Sequence, residues 1–126
     1  MEKQNVDVLI SQADQLLESA NEEIQRSKED VIAFMVCHNS RQSIINYLTS
    51  FLINNSETLK EPVTMASLME QCRSVDGRFN LIDISSISCN HKVDDEDYCT
   101  NLTKVSECLQ IAKQTRGIAV NDAPGY

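Results

Sequence analysis

Phe34-Met35-Val36-Cys37-His38-Asn39-Ser40-Arg41-Gln42-Ser43-Ile44-Ile45-Asn46-Tyr47-Leu48 is the stretch whose reading decides the fold. Together with Val31 before it and Phe51-Leu52 after it, the apolar positions Val31, Phe34, Cys37, Ile44, Ile45, Leu48, Phe51 and Leu52 follow an α-helical period. They spread over a wide arc. A helix that is apolar over so much of its surface has neighbours on more than one side, so this one is expected at the centre of a helical assembly. Ser27 followed by Asp30 resembles a capping box, and Asn54-Asn55-Ser56 ends the run, which places the helix from Ser27 to about Ile53.

Working outward, Val6, Ile10, Ala13, Leu17, Ala20 and Ile24 alternate steps of four and three, the stripe of a first helix. Leu9 and Leu16 widen the stripe, and Glu18, Glu22 and Glu23 take the watered flank. On the other side, Glu61-Pro62 opens a shorter third helix, with Pro where its missing N–H costs nothing. Its inner face is Met65, Leu68, Met69, Cys72 and Val75, and Asp76-Gly77 stops it. Residues 78–93 lack a clean period: Phe79, Leu81, Ile82, Ile84 and Ile87 are expected to pack down, with one short helical turn, and Ser88 to Lys92 to form exposed loop. Asp94-Asp95-Glu96-Asp97 then supplies an acidic first turn, favourable at the positive end of a helix. Tyr98, Leu102, Val105, Leu109, Ala112 and Arg116 continue as the last helix, and residues 122–126 read as a frayed tail. Three long helices and one shorter helix on short links close as an antiparallel up-down four-helix bundle. The expectation is an all-α domain over residues 1–126, with an irregular loop at about 78–93 before the last helix.

Composition agrees. The 126 residues are 41% hydrophobic and 24% charged, as in a globular chain, and three Gly, two Pro and no Trp argue against an all-β sandwich. A net charge of −8 repels phosphate backbones, so non-specific nucleic-acid binding is not expected. The longest apolar run, Val31 to Cys37, is far shorter than the roughly 20 residues that cross a bilayer, and the polar N-terminus does not read as a signal peptide. Five cysteines, an odd number without C-x-x-C spacing, read as buried thiols of a reducing compartment, hence a cytoplasmic location.

The segment Phe34 to Leu48 resembles the central helix of the HEPN domain, the "higher eukaryotes and prokaryotes nucleotide-binding" family. The order of long first helix, central second, short third, loop and last helix is similar too. The family pattern has an apolar stretch, a His or Gln, an acidic-basic pair and a second Lys before a Leu-rich end. Here Gln42-Ser43 stands where Glu-Lys is common, and Asn46 where Lys is common. Ribonuclease members carry an Arg followed four to six residues later by a His near the start of the last helix. In this chain His91 has no Arg at that spacing, Arg78 lies too far upstream, and no His follows Arg116. Such an RNase needs the Arg to hold phosphate and the His for acid–base work. The resemblance therefore implies a non-catalytic, homodimeric module for protein interaction, nucleotide binding or both, with a nucleotide or a nucleotidyltransferase protein as partner. The alternatives are an RNase-like or nucleotide-processing enzyme using His38, Arg41 or His91, and a purely structural interaction protein.

His38, Arg41 and His91 are accordingly the ligand-binding candidates, and no catalytic residue is assigned. His38 and Arg41 lie about 60° apart on the helix, with Arg41 near the middle of the apolar arc of Phe34, Ile45, Leu48 and Leu52. A cation there must be paired, reach a cleft or meet another subunit. The ordinary reading is an ion pair or a snorkelling side chain; the sharper one is an anion pocket. Cys89, His91, Cys99 and Cys108 are zinc-ligand types at a spacing that matches no knuckle. Neither His has the Glu three residues earlier that di-iron bundles use. Cys37 and His38 are adjacent and diverge on a helix, and Asp94 to Asp97 lacks a calcium-loop pattern. Neither a metal nor a cofactor is expected. A homodimer is expected because Val36 and Tyr47 fall away from the face centred on Phe34 and Leu48, leaving surplus apolar surface.

Overall fold

The computed structural model describes residues 2–26, 33–59, 64–82 and 102–120, and for residues 2–5, 33, 34 and 102–105 the backbone alone. The elements are α1 (Glu2–Ile24), α2 (Ala33–Asn54), α3 (Met65–Val75), a 3₁₀ helix (Gly77–Leu81) and α4 (Leu102–Ala119). Among the described residues every regular element is helical. No described helix is long and apolar enough to cross a membrane.

The wide apolar arc of α2 has the consequence expected of it: α2 packs against α1, α3 and α4, while α1 and α4 share a narrower seam. Ala20 of α1 clusters with Val36 and Cys37 of α2 and Leu109 of α4. Further along, Asp14 of α1 bonds both Tyr47 of α2 and Arg116 of α4. Rising numbers in α2 and α4 thus meet falling numbers in α1, so α1 runs antiparallel to both. This is the order of an up-down four-helix bundle.

The α1–α2 contact is close because the facing side chains are small. Ala13 and Ala20 on α1 are fully buried, and the α2 face that carries Val36 and Tyr47 also carries Ser40, Ser43 and Ser50, all buried. The Ser43 and Ser50 hydroxyls donate to the carbonyls of Ser40 and Tyr47, both at 2.8 Å, whereas the buried Ser40 hydroxyl meets no partner among the described residues. The main core lies between α2, α3, the 3₁₀ helix and α4, around Ile44, Leu48, Phe51, Leu52, Leu68, Met69, Phe79 and Ile111.

Local chemistry sets the ends. Helix α2 stops where Glu57 N–H donates to Leu52 O and Ser56 N–H to Ile53 O, a paired C-terminal closure with Ser56 at φ 60. Helix α3 begins at Met65, not at Glu61-Pro62. The reason is Thr64, whose hydroxyl accepts from Ser67 N–H while Ser67 Oγ accepts from Thr64 N–H, a capping box written with Ser in place of Glu. Residues 61–63 lie outside the described residues. Asp76 ends α3 and caps the 3₁₀ helix by accepting from Arg78 N–H. Arg73 clamps that turn, with Nη2 donating to Ile82 O at 2.6 Å.

Further expectations change. Val75 is 37% exposed and Leu81 82% exposed, because the 3₁₀ turn presents Phe79 and Ile82 to the core and turns Leu81 outward. Val36 and Tyr47 are fully buried against α1, so the surplus apolar surface expected of them does not exist. The Ser27–Asp30 cap, Val31, Ile84, Ile87, the acidic start Asp94–Asp97, Tyr98 and the tail lie outside the described residues.

Candidate functional site

His38 is exposed on α2, and His91 lies outside the described residues. Arg41 is half-buried one turn further along α2. Its Nε is enclosed and meets no hydrogen-bond acceptor among the described residues. No carboxylate of the described residues pairs with it either, so the expected ion pair is not among them. Burying a guanidinium N–H without an acceptor is costly, and this gives Arg41 an unusual environment among the described residues.

Cys37, Cys72 and Cys108 are buried thiols. Burial pushes the Cys72 thiol up to about 12, and its Sγ donates to Leu48 O at 3.6 Å. A thiol so held stays protonated and behaves as an apolar filler. Cys89 and Cys99 lie outside the described residues. Among the described residues no three His, Cys, Asp or Glu side chains gather as metal ligands.

Among the described residues, concavities flank α1 on two sides. The first is a groove of about 460 Å³ between α1 and α2, lined by Gln12, Gln15, Leu16 and Ser19 of α1 and Gln42 and Asn46 of α2. Gln42 Nε2 donates to Asn46 Oδ1 at 3.3 Å, one turn apart. None of these six residues is charged. Their carboxamides and hydroxyl offer both donors and acceptors to whatever enters.

The second, of about 430 Å³, lies between α1 and α4 and is lined by Asp14, Leu17, Glu18, Asn21, Lys113 and Arg116. Its floor is a three-helix junction. Burial works against the Asp14 charge, but hydrogen bonds from Arg116 and Tyr47 outweigh it and hold the carboxyl below its ordinary range. Burial, together with the Asp14 hydrogen bond, raises the Tyr47 phenol, and the Asp14 bond raises Arg116. Every shift favours the form already present at neutral pH. Tyr47 therefore stays a phenol and Asp14 a carboxylate, which describes a structural tie and gives neither group a proton to exchange near pH 7.

Sequence reading missed both features. Gln12, Gln15 and Ser19 recur at helical spacing opposite the apolar stripe, and Gln42 and Asn46 stand four apart. That periodicity was available, but only the packing of α1 on α2 makes one groove of two polar faces. Asp14 and Arg116 are 102 positions apart, and nothing local links them. No protein-family model, no curated protein and no solved structure matches the chain.

Proposed function

We propose that the chain is a non-catalytic, HEPN-like helical-bundle module that binds another protein surface through the α1–α2 groove, in a reducing, cytoplasmic setting. What supports this is the groove's lining: six residues, none charged, in a chain whose net charge is −8. The buried centres of protein interfaces are depleted of charge and keep paired donors and acceptors. A phosphate-binding groove needs Arg, Lys or an array of backbone N–H groups, and this groove has no cationic side chain. Gln42 and Asn46, where the HEPN pattern commonly has charge, are two of its wall residues. The buried thiols of Cys37, Cys72 and Cys108 fit a reducing compartment.

The test is a photo-reactive amino acid placed at Ser19, in the groove, and at the exposed Gln110 of α4. A discrete protein adduct from position 19, identified by mass spectrometry and missing from position 110, is expected. No adduct from position 19, or equal labelling from both, refutes the reading.

Arg41 favours a second reading, an anion or nucleotide site, because its enclosed Nε lacks an acceptor among the described residues. A thermal-shift screen with ATP, GTP, AMP and inorganic phosphate decides it. A stabilising hit that Arg41→Met abolishes while the domain stays folded establishes that site, and no hit removes it. The purified protein is expected to leave single-stranded RNA intact. Cleavage that disappears in His91→Ala would establish the enzyme alternative instead.

A further inference from the structure

We propose that the concavity between α1 and α4 binds a small zwitterion, a molecule with an ammonium and a carboxylate on one short skeleton, as in an α-amino acid. The site lies on the opposite flank of α1 from the protein-binding groove and is independent of that reading.

Its walls are opposite in charge. Asp14, Glu18 and Asn21 come from α1, with Leu17 between them, and Lys113 and Arg116 come from α4. Positions 14, 17, 18 and 21 share one face of α1, and 113 and 116 share one face of α4. One pair across the gap is made, from Arg116 Nε to Asp14 Oδ1 at 2.9 Å. That bond also sets the register. Three residues back along α4, and three or four forward along antiparallel α1, are both about 5 Å of rise, so Lys113 stands at the level of Leu17 and Glu18.

The second pair is not made. Glu18 and Lys113 line the same cavity from facing helices, yet neither forms an ion pair or hydrogen bond among the described residues, and nor does the Asn21 carboxamide. Opposite charges held apart across about 430 Å³ are satisfied together by a ligand that carries both. Small-molecule pockets run from roughly 300 to 1,000 Å³.

Each end of such a ligand finds its chemistry. The carboxylate meets the Lys113 ammonium and the terminal N–H donors of Arg116, whose guanidinium the Asp14 bond orients. The ammonium meets the Glu18 carboxylate and the Asn21 carboxamide oxygen. Glu22, exposed and four residues beyond Glu18, adds negative potential at that end, whereas Asp14 is already bonded to Arg116 and Tyr47. A bare anion is repelled by the acidic wall and a bare cation by the basic one. The half-buried Leu17 offers an apolar floor to a short aliphatic side chain. A small neutral α-amino acid is the class that fits. Because the walls stay wet, with the Asp14 side chain 39% and the Arg116 side chain 47% exposed, a dissociation constant of about 1 mM is expected.

Titration of isotope-labelled protein with L-valine up to about 50 mM, read by NMR amide shifts, tests the proposal. Saturable shifts concentrated at residues 17–21 and 113–116 are expected. Isovalerate and isobutylamine, which keep the side chain and one charge each, are expected to bind at least tenfold more weakly. Glu18→Gln and Lys113→Gln, both at exposed positions, are each expected to weaken valine binding at least tenfold. Gln15→Ala, in the α1–α2 groove, is expected to leave it unchanged. The absence of a saturable shift with L-valine overturns the proposal. So does isovalerate or isobutylamine binding as tightly as L-valine, which would mark a plain ion site, and so does binding that survives in either folded variant. Should a variant unfold, the comparison of L-valine with its two half-molecules decides alone. Photo-crosslinking from Ser19 bears on the α1–α2 groove only, so the two readings fail separately.

Discussion

Tyr47 of α2 donates its hydroxyl to Asp14 Oδ1 of α1 at 2.5 Å, across 33 positions of sequence. The same oxygen accepts Arg116 Nε of α4 at 2.9 Å, so one carboxylate ties three helices at the middle of the bundle. The two ends of the Tyr47 bond differ in exposure: Tyr47 is fully buried, whereas the Asp14 side chain is 39% exposed. Tyr47→Phe therefore removes a donor and leaves Asp14 to Arg116 and water, at a cost of about 0.5–1.5 kcal/mol. Asp14→Ala strands the buried phenol and is expected to cost more, about 1–3 kcal/mol. Urea unfolding of the two variants checks the order, and a larger loss for Tyr47→Phe would refute the account.

The Asp14 carboxyl also fixes a pH dependence. Its folded pKa lies below the unfolded value, because hydrogen bonds from Arg116 and Tyr47 overcome the opposing effect of burial. A lowered acid contributes stability that is complete above the unfolded pKa of about 3.9 and is lost as pH falls through the folded value. The difference in stability between the native chain and Asp14→Asn should thus be constant from about pH 5 to 7 and shrink only below about pH 4. The effect is small, since the pair is partly exposed to water. Denaturant midpoints measured from pH 2 to 7 would show it, and a difference that varies between pH 5 and 7 would contradict it.

Leu48 and Leu109 are buried to within 2% exposure, one in each of the two clusters that α2 organises. Truncating either to Ala removes apolar contact and opens a cavity in a helix-to-helix seam that cannot fully collapse. A loss of about 2–5 kcal/mol is expected for each. Changes below about half a kcal/mol at both positions would mean that the core is elsewhere.

Ser56 holds a left-handed conformation at the end of α2, with φ at 60, where most helices place Gly. A side chain bearing Cβ is strained there, and the exposed hydroxyl gives nothing back that a glycine would lose. Ser56→Gly is expected to raise stability by about 0.5–1 kcal/mol, net of the greater freedom glycine has when unfolded. Thermal unfolding reads this directly, and a lower midpoint would rule out the strain.

The sequence by itself determined which segments are helices and which of their faces are apolar. Val6, Ala13 and Ala20 in α1, Cys37, Ile44 and Leu48 in α2, and Leu109 and Ala112 in α4 are buried where their spacing put them, because helical period is a local property of the chain. The stop at Asn54-Asn55-Ser56 and the turn after Asp76 were legible for the same reason. Tertiary structure decided the rest. Whether Val36 and Tyr47 were surplus or core depended on whether Ala13 and Ala20 let α1 come close enough to cover them. Whether Gln12 and Gln42 were two solvated faces or the two walls of one groove depended on the angle between helices 30 positions apart. The carboxylate that joins Tyr47 to Arg116 lies in a third helix, and a residue's own sequence neighbourhood carries no record of which distant side chain will reach it.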